Sequence, residues 1–155
     1  MIKMSVANKS GKGVKTPCIG VCSTGIGDSV CRGCKRFNHE VIHWNGYSDT
    51  EKNAVLDRLQ LLLTQVVKSK IQIVNISVLS AALARHDIRI NDYSDPYCWV
   101  FDLLKAGAKQ IQNIETFGCR VNVEWQSCAL TELRDIMDAE FYALSCAHLE
   151  RYFSH

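Results

Sequence analysis

Four cysteines near the start of the chain constrain its fold more than any other feature. Cys18 and Cys22 form a C-x3-C pair, eight residues follow, and Cys31 and Cys34 form a C-x2-C pair. Two short pairs separated by a small loop can bring four thiolates to one point, as a tetrahedral zinc ion or an iron–sulfur cluster requires. Pro17, Gly20, Gly25, Gly27 and Gly33 interrupt regular structure around them and suit a loop wrapped on a metal. Gly33, between the last two ligands, is expected to provide the tight turn under the sulfurs. The remaining cysteines, Cys98, Cys119, Cys128 and Cys146, are scattered without ligand spacing.

The chain has 155 residues, 47% of them apolar, enough for one domain or for a small module joined to a modest second part. Its apolar runs are too short to suggest a membrane span. Residues 1–16 are polar and Lys-rich, which predicts a flexible basic tail and no secretory signal. A cytoplasmic setting follows, where clustered cysteines bind metal more often than they form disulfides. Charge is uneven: residues 1–44 carry an excess of +5 and the remainder −3, within a net +2. Arg32, Lys35 and Arg36 stand beside the cysteines, where they offset the negative charge of a four-thiolate site. The same excess admits an RNA, a DNA or an acidic protein surface as partner.

Hydrophobic periodicity predicts a mainly α fold with minor β. Asn38 to Trp44 is expected to make one or two helical turns. Ser48 and Glu51 form a capping-box signature, and Val55, Leu56, Leu59, Leu62, Leu63, Val66 and Val67 then form one apolar stripe ending near Lys68–Lys70. Ile71 to Ile76 reads as a short strand or as more of that helix. Further helices are expected over Ser77–His86, from Asp95-Pro96 to Gly107, and over Leu130–Phe153. The last carries Leu133, Ile136, Met137, Phe141, Leu144 and Leu149. Ile114 to Trp125 alternates and is the best strand candidate. The expected organisation is a tail over 1–16, a metal module with its helix over 17–70, and a helical region with one or two short strands over 71–155.

The N-terminal pattern resembles the YdhL-like family of unknown function (DUF1289), a bacterial family described as predicted iron–sulfur proteins. The matching residues are Pro17-Cys18-Ile19-Gly20-Val21-Cys22, Cys31-Arg32-Gly33-Cys34-Lys35-Arg36, then Glu40, Trp44, Ser48-Asp49 and Glu51-Lys52. Phe37 departs from the small polar residue common in that family. The resemblance implies a metal site and no particular reaction.

From ligand chemistry the expected cofactor is zinc, with an iron–sulfur cluster as the alternative, held by Cys18, Cys22, Cys31 and Cys34. His39 and His43 share a helical face but stand too close to Cys34 for a two-Cys two-His finger, so they are expected outside the ligand set. Glu40 is expected to accept a bond from Arg36, and Trp44 to cover the metal loop. Ile19, Arg32, Lys35, Arg36, Phe37 and Trp44 form the expected interaction surface. The leading function is a protein-interaction or adaptor module with an unidentified protein partner or a second copy of the chain. The alternatives are an iron–sulfur redox or sensor protein, and a nucleic-acid-binding protein that stacks bases on Phe37 and Trp44. Cys98 and Cys119 read as buried thiols. His86-Asp87 and His148 lack a nucleophile or phosphate loop beside them, so catalysis is not the favoured reading.

Overall fold

The computed structural model of the chain describes residues 14–20 and 22–153. The predicted basic tail falls almost wholly outside them. The fold is mainly α with a small sheet. Its α-helices are α1 (Asn38–His43), α2 (Asp49–Lys68), α3 (Ile76–Arg85), α4 (Pro96–Gly107) and α5 (Leu130–Phe153). The strands are β1 (Ile71–Ile73) and β2 (Cys119–Val121), paired antiparallel with Ile71 opposite Val121 and Ile73 opposite Cys119. Among the described residues no helix is long and apolar enough to cross a membrane.

Local chemistry explains most boundaries. At the start of α2, the Ser48 N–H donates to Glu51 Oε1 at 2.8 Å and the Glu51 N–H to Ser48 Oγ at 3.1 Å. That reciprocal pair is the predicted capping box. Asn75 caps α3 through two backbone N–H groups, those of Ser77 and Val78. Asp95 accepts from the Tyr97 N–H at 2.9 Å, with Pro96 at the first helical position of α4. The predicted end of α4 at Gly107 and both ends of α5 match the structure.

The expected strand over Ile114–Trp125 shrinks to three residues. Asn113 accepts from the Glu115 N–H and starts a 3-10 turn over Ile114–Phe117. Gly118 then adopts φ +73°, a left-handed conformation that ends the turn. After β2 the Asn122 N–H donates to the Lys70 carbonyl at 2.7 Å, and a second 3-10 turn takes Val123–Trp125. Period-two alternation was a true signal only where the backbone could reach β1.

Gly118 also lies in a close approach of two backbone segments. A Cβ there would stand 2.4 Å from the Asn75 carbonyl oxygen and 3.2 Å from the Leu79 N. Both are backbone atoms at the start of α3, so neither can swing aside. Gly118→Ala is therefore expected to destabilise by about 2–3 kcal/mol, combining left-handed strain with overpacking. Equilibrium urea unfolding checks it, and a midpoint equal to wild type would contradict the geometry.

The chain divides into two compact units. The first runs through Leu62 and regains the chain from Phe141 onward, and the second is Leu63–Glu140. This departs from the sequential division at residue 70. The physical reason lies in α5: its second half carries Phe141, Tyr142, His148 and Phe153, which pack on residues of the cysteine-rich segment. Stripe residues of this unit lie as expected, with Val55, Leu59 and Leu62 buried on α2 and Phe141 on α5. Leu144, by contrast, is exposed. Ser145 takes the inward position, satisfied by donating to the Phe141 carbonyl at 2.9 Å.

In the second unit, Ile71, Leu79, Leu83, Val100, Leu103, Leu104, Leu133 and Met137 supply the core. Lys70 is buried there with its charge answered: Nζ donates to Glu140 Oε1 at 2.6 Å and stands over the Trp125 ring. Cys98 and Cys119 are buried as expected, and burial pushes each thiol up to about 11. His86 closes the end of α3, where the helix was expected to stop, and rests on the Phe117 ring.

Candidate metal centre

The second cysteine pair lies at the tip of a miniature hairpin. Val30 and Phe37 form a single antiparallel bridge, the Cys31 N–H donates to the Arg36 carbonyl at 2.8 Å, and the Asn38 N–H donates to the Ser29 carbonyl. Between those rungs Cys31-Arg32-Gly33-Cys34 turns back, closed by the Lys35 N–H on the Cys31 carbonyl at 2.8 Å. The left-handed residue of this turn is Lys35, at φ 68°, and not Gly33. A side chain with a Cβ in that region costs about 1–2 kcal/mol. Lys35 offsets it with its own ammonium, which folds back onto the Arg32 and Gly33 carbonyls and faces the Phe141 ring at 5.4 Å.

Burial alone would push the Cys31 thiol up. Backbone hydrogen bonds from Cys34, Ser23 and Gly33, and one with the Cys34 thiol, outweigh it and bring Cys31 down from 9.0 to about 7. Burial raises the Cys34 thiol, although Arg36 Nε donates to its sulfur at 3.2 Å and lowers it in part. Ser23 steadies the turn from outside, its hydroxyl accepting the Arg32 N–H at 2.8 Å.

The first pair is arranged differently. Cys18 and Cys22 are exposed. Cys18 Sγ accepts the Gly20 N–H at 3.3 Å, and Cys22 Sγ shares a hydrogen with Thr24 Oγ1 at 3.0 Å. Among the described residues all eight cysteines are thiols, and no three Cys, His, Asp or Glu side chains gather at one point. The donor chemistry of the four thiols suits a soft metal. Of the two pairs, the one at Cys31 and Cys34 is gathered into a turn whose N–H groups already face sulfur.

Of the residues expected to form an interaction surface, Arg32 and Ile19 are exposed, while Lys35, Arg36, Phe37 and Trp44 are buried. The cationic groups explain this inversion. The Arg36 guanidinium lies 5.0 Å from the Trp44 ring centre, and Arg58 lies 3.9 Å from that of Phe37. Each aromatic face expected to stack bases is occupied from within. Arg32 reaches outward, bonded to Asp28 and 4.5 Å above the Tyr142 ring.

Glu40 also has a different partner from the one expected. It receives Arg58 through both guanidinium Nη groups, with Nη2 at 2.8 Å from Oε1, and accepts the Phe37 N–H at 2.8 Å. Arg36 is engaged with the Cys34 sulfur instead. Sequence spacing favoured the near arginine, since a partner 18 residues away on α2 leaves no periodic signal. His43 is exposed; His39 stands 5.7 Å from Phe37 and 5.2 Å from Phe153, ring to ring. Sequence reasoning missed the α5 contributions altogether. Tyr142 is one of them, its phenol pushed up first by burial and then by a hydrogen bond with Cys146.

The class so defined is a cysteine-rich, mainly α-helical protein. Residues 16–62 match the model of a family described as a protein of unknown function (DUF1289). That match covers the cysteine-rich segment and most of α2. No curated protein and no solved structure matches the chain.

Proposed function

We propose that the segment matched by the family is a metal-binding structural module in which Cys18, Cys22, Cys31 and Cys34 hold zinc, and that it serves protein interaction and not catalysis. The observation that carries this reading is the Cys31–Cys34 turn. Its N–H groups are directed at the Cys31 sulfur, which favours the Cys31 thiolate before any ion arrives, and the Arg36 guanidinium at the Cys34 sulfur, where it offsets part of the cost of burial. Zinc held by four thiolates has no open position for substrate, so it contributes folding energy and shape. Ile19, Ile26 and Ile42, 56%, 86% and 64% exposed, are apolar residues that this segment offers to a protein partner.

Metal and acid-labile sulfide, measured with a visible spectrum on protein purified without oxygen, test the reading. About one zinc per chain and no colour are expected. Iron with equivalent sulfide and visible absorption would move the same four cysteines to a redox or sensing role. A chain that retains neither metal would sink both.

A further inference from the structure

His148 lies on α5 in the first unit, outside the cysteine motif, yet it takes part in the contact that ties the end of α5 to that motif. Its ring stacks on Phe37 with centroids 6.5 Å apart at 30°, and packs on Tyr152 at 4.7 Å. Phe153 adds an edge contact to Phe37 at 5.4 Å. The last two turns of α5 thus rest on one aromatic side chain of the hairpin that carries Cys31 and Cys34.

That side chain already has a cation on it, the Arg58 guanidinium 3.9 Å from the Phe37 ring centre. The charged and titratable groups around His148 come from three helices. Arg58 is on α2, Glu40 and His39 are on α1, and Arg151 is on α5 itself. Glu40 is the one carboxylate acting on His148 in this set, and both its oxygens are engaged by Arg58. A proton on His148 would therefore add a third positive charge beside Arg58 and Arg151, and among the described residues the carboxylate that acts on it is already paired with Arg58.

We propose that His148 is an acid-sensitive latch: neutral, it stacks on Phe37 and holds the last turns of α5 to the cysteine-bearing hairpin; protonated, it releases them. Burial, then Arg58 and Arg151, lower its pKa from 6.5, with Glu40 opposing. The unfolded or released segment thus binds the proton more readily than the docked one. The latch is whole above pH 6.5 and weakens as pH falls through that value. This inference rests on ring packing and charge, and does not need the metal reading to hold.

Hydrogen exchange of residues 146–153 in the full chain, followed from about pH 7.5 to about pH 5.5 with metal content recorded at each step, tests it. The wild type is expected to lose protection there as pH falls, while metal content stays level. His148→Phe, which keeps a ring but has no proton to gain, is expected to hold its protection throughout. An unchanged wild type, or an equal loss in His148→Phe, would overturn the latch. Should that variant fail to fold, the NMR titration of the wild-type His148 ring decides. A midpoint below 6.5 supports the latch and one at or above 6.5 refutes it.

Discussion

Cys31→Ser and Cys34→Ser are each expected to abolish metal retention and to unfold the N-terminal unit, whereas Cys128→Ser leaves both intact. The two arms of the hairpin carrying the second pair are joined to each other by one isolated bridge and a few backbone bonds. The preceding segment is glycine-rich, with Cys18, Ile19, Gly20, Cys22, Gly25, Ile26 and Gly27 all exposed. Such a segment buries little apolar surface to oppose chain entropy. Zinc sites in small modules contribute roughly 10–16 kcal/mol of apparent folding free energy, far above what these local bonds supply. Serine keeps the size and the hydrogen-bonding capacity of cysteine but does not form a thiolate at neutral pH. The turn survives sterically while the ligand is lost. Metal content and far-UV circular dichroism, read on all three variants, separate the outcomes. Equal metal in the three would defeat the ligand assignment.

Arg58→Ala is expected to cost about 3–5 kcal/mol, the range for breaking one side of a buried ion pair. The side chains of Arg58 and Glu40 are only 15% and 6% exposed. Removing the guanidinium leaves Glu40 in the interior with the Phe37 N–H as its remaining described partner, and uncovers the Phe37 ring at the same time. For a chain of this size the loss corresponds to a fall in Tm of roughly 10 °C. Joint replacement, Arg58→Met with Glu40→Leu, is expected to restore much of it, because an apolar pair carries no unanswered charge. Thermal unfolding of the single and double variants distinguishes this from loss of packing alone. If the double variant is as unstable as Arg58→Ala, the ion pair is not what the single change removed.

The elements easiest to read from sequence were those whose signals are local. The Ser48–Glu51 box, the Asp95-Pro96 start and the span of α5 all follow from neighbours within one turn, and each stands where it was expected. The cysteine motif was legible for the same reason. What sequence could not supply was pairing at a distance. Lys35 and Arg36 read as part of an interaction surface, yet Phe141 and Trp44 cover them. Phe37 read as a surface aromatic because Arg58 and the end of α5 are remote in the chain. Gly33 drew the turn because glycine tolerates left-handed backbone, whereas Lys35 occupies that conformation through carbonyl bonds made by its own side chain.

The first unit takes its residues from both ends of the chain, and this sets an order of events during synthesis. Cys18 leaves the ribosome well before Phe141, Tyr142 and Phe153, which cover Lys35, Arg32 and Phe37. A nascent chain bearing all four cysteines therefore waits for its aromatic cover until α5 has been made. At elongation rates of about 5–20 residues per second, the wait between Cys34 and Phe153 is on the order of 6–24 s. Throughout that interval the thiols are open to whichever metal or oxidant reaches them, so an ion held by the four cysteines would be chosen before the fold around Cys31 and Cys34 is complete.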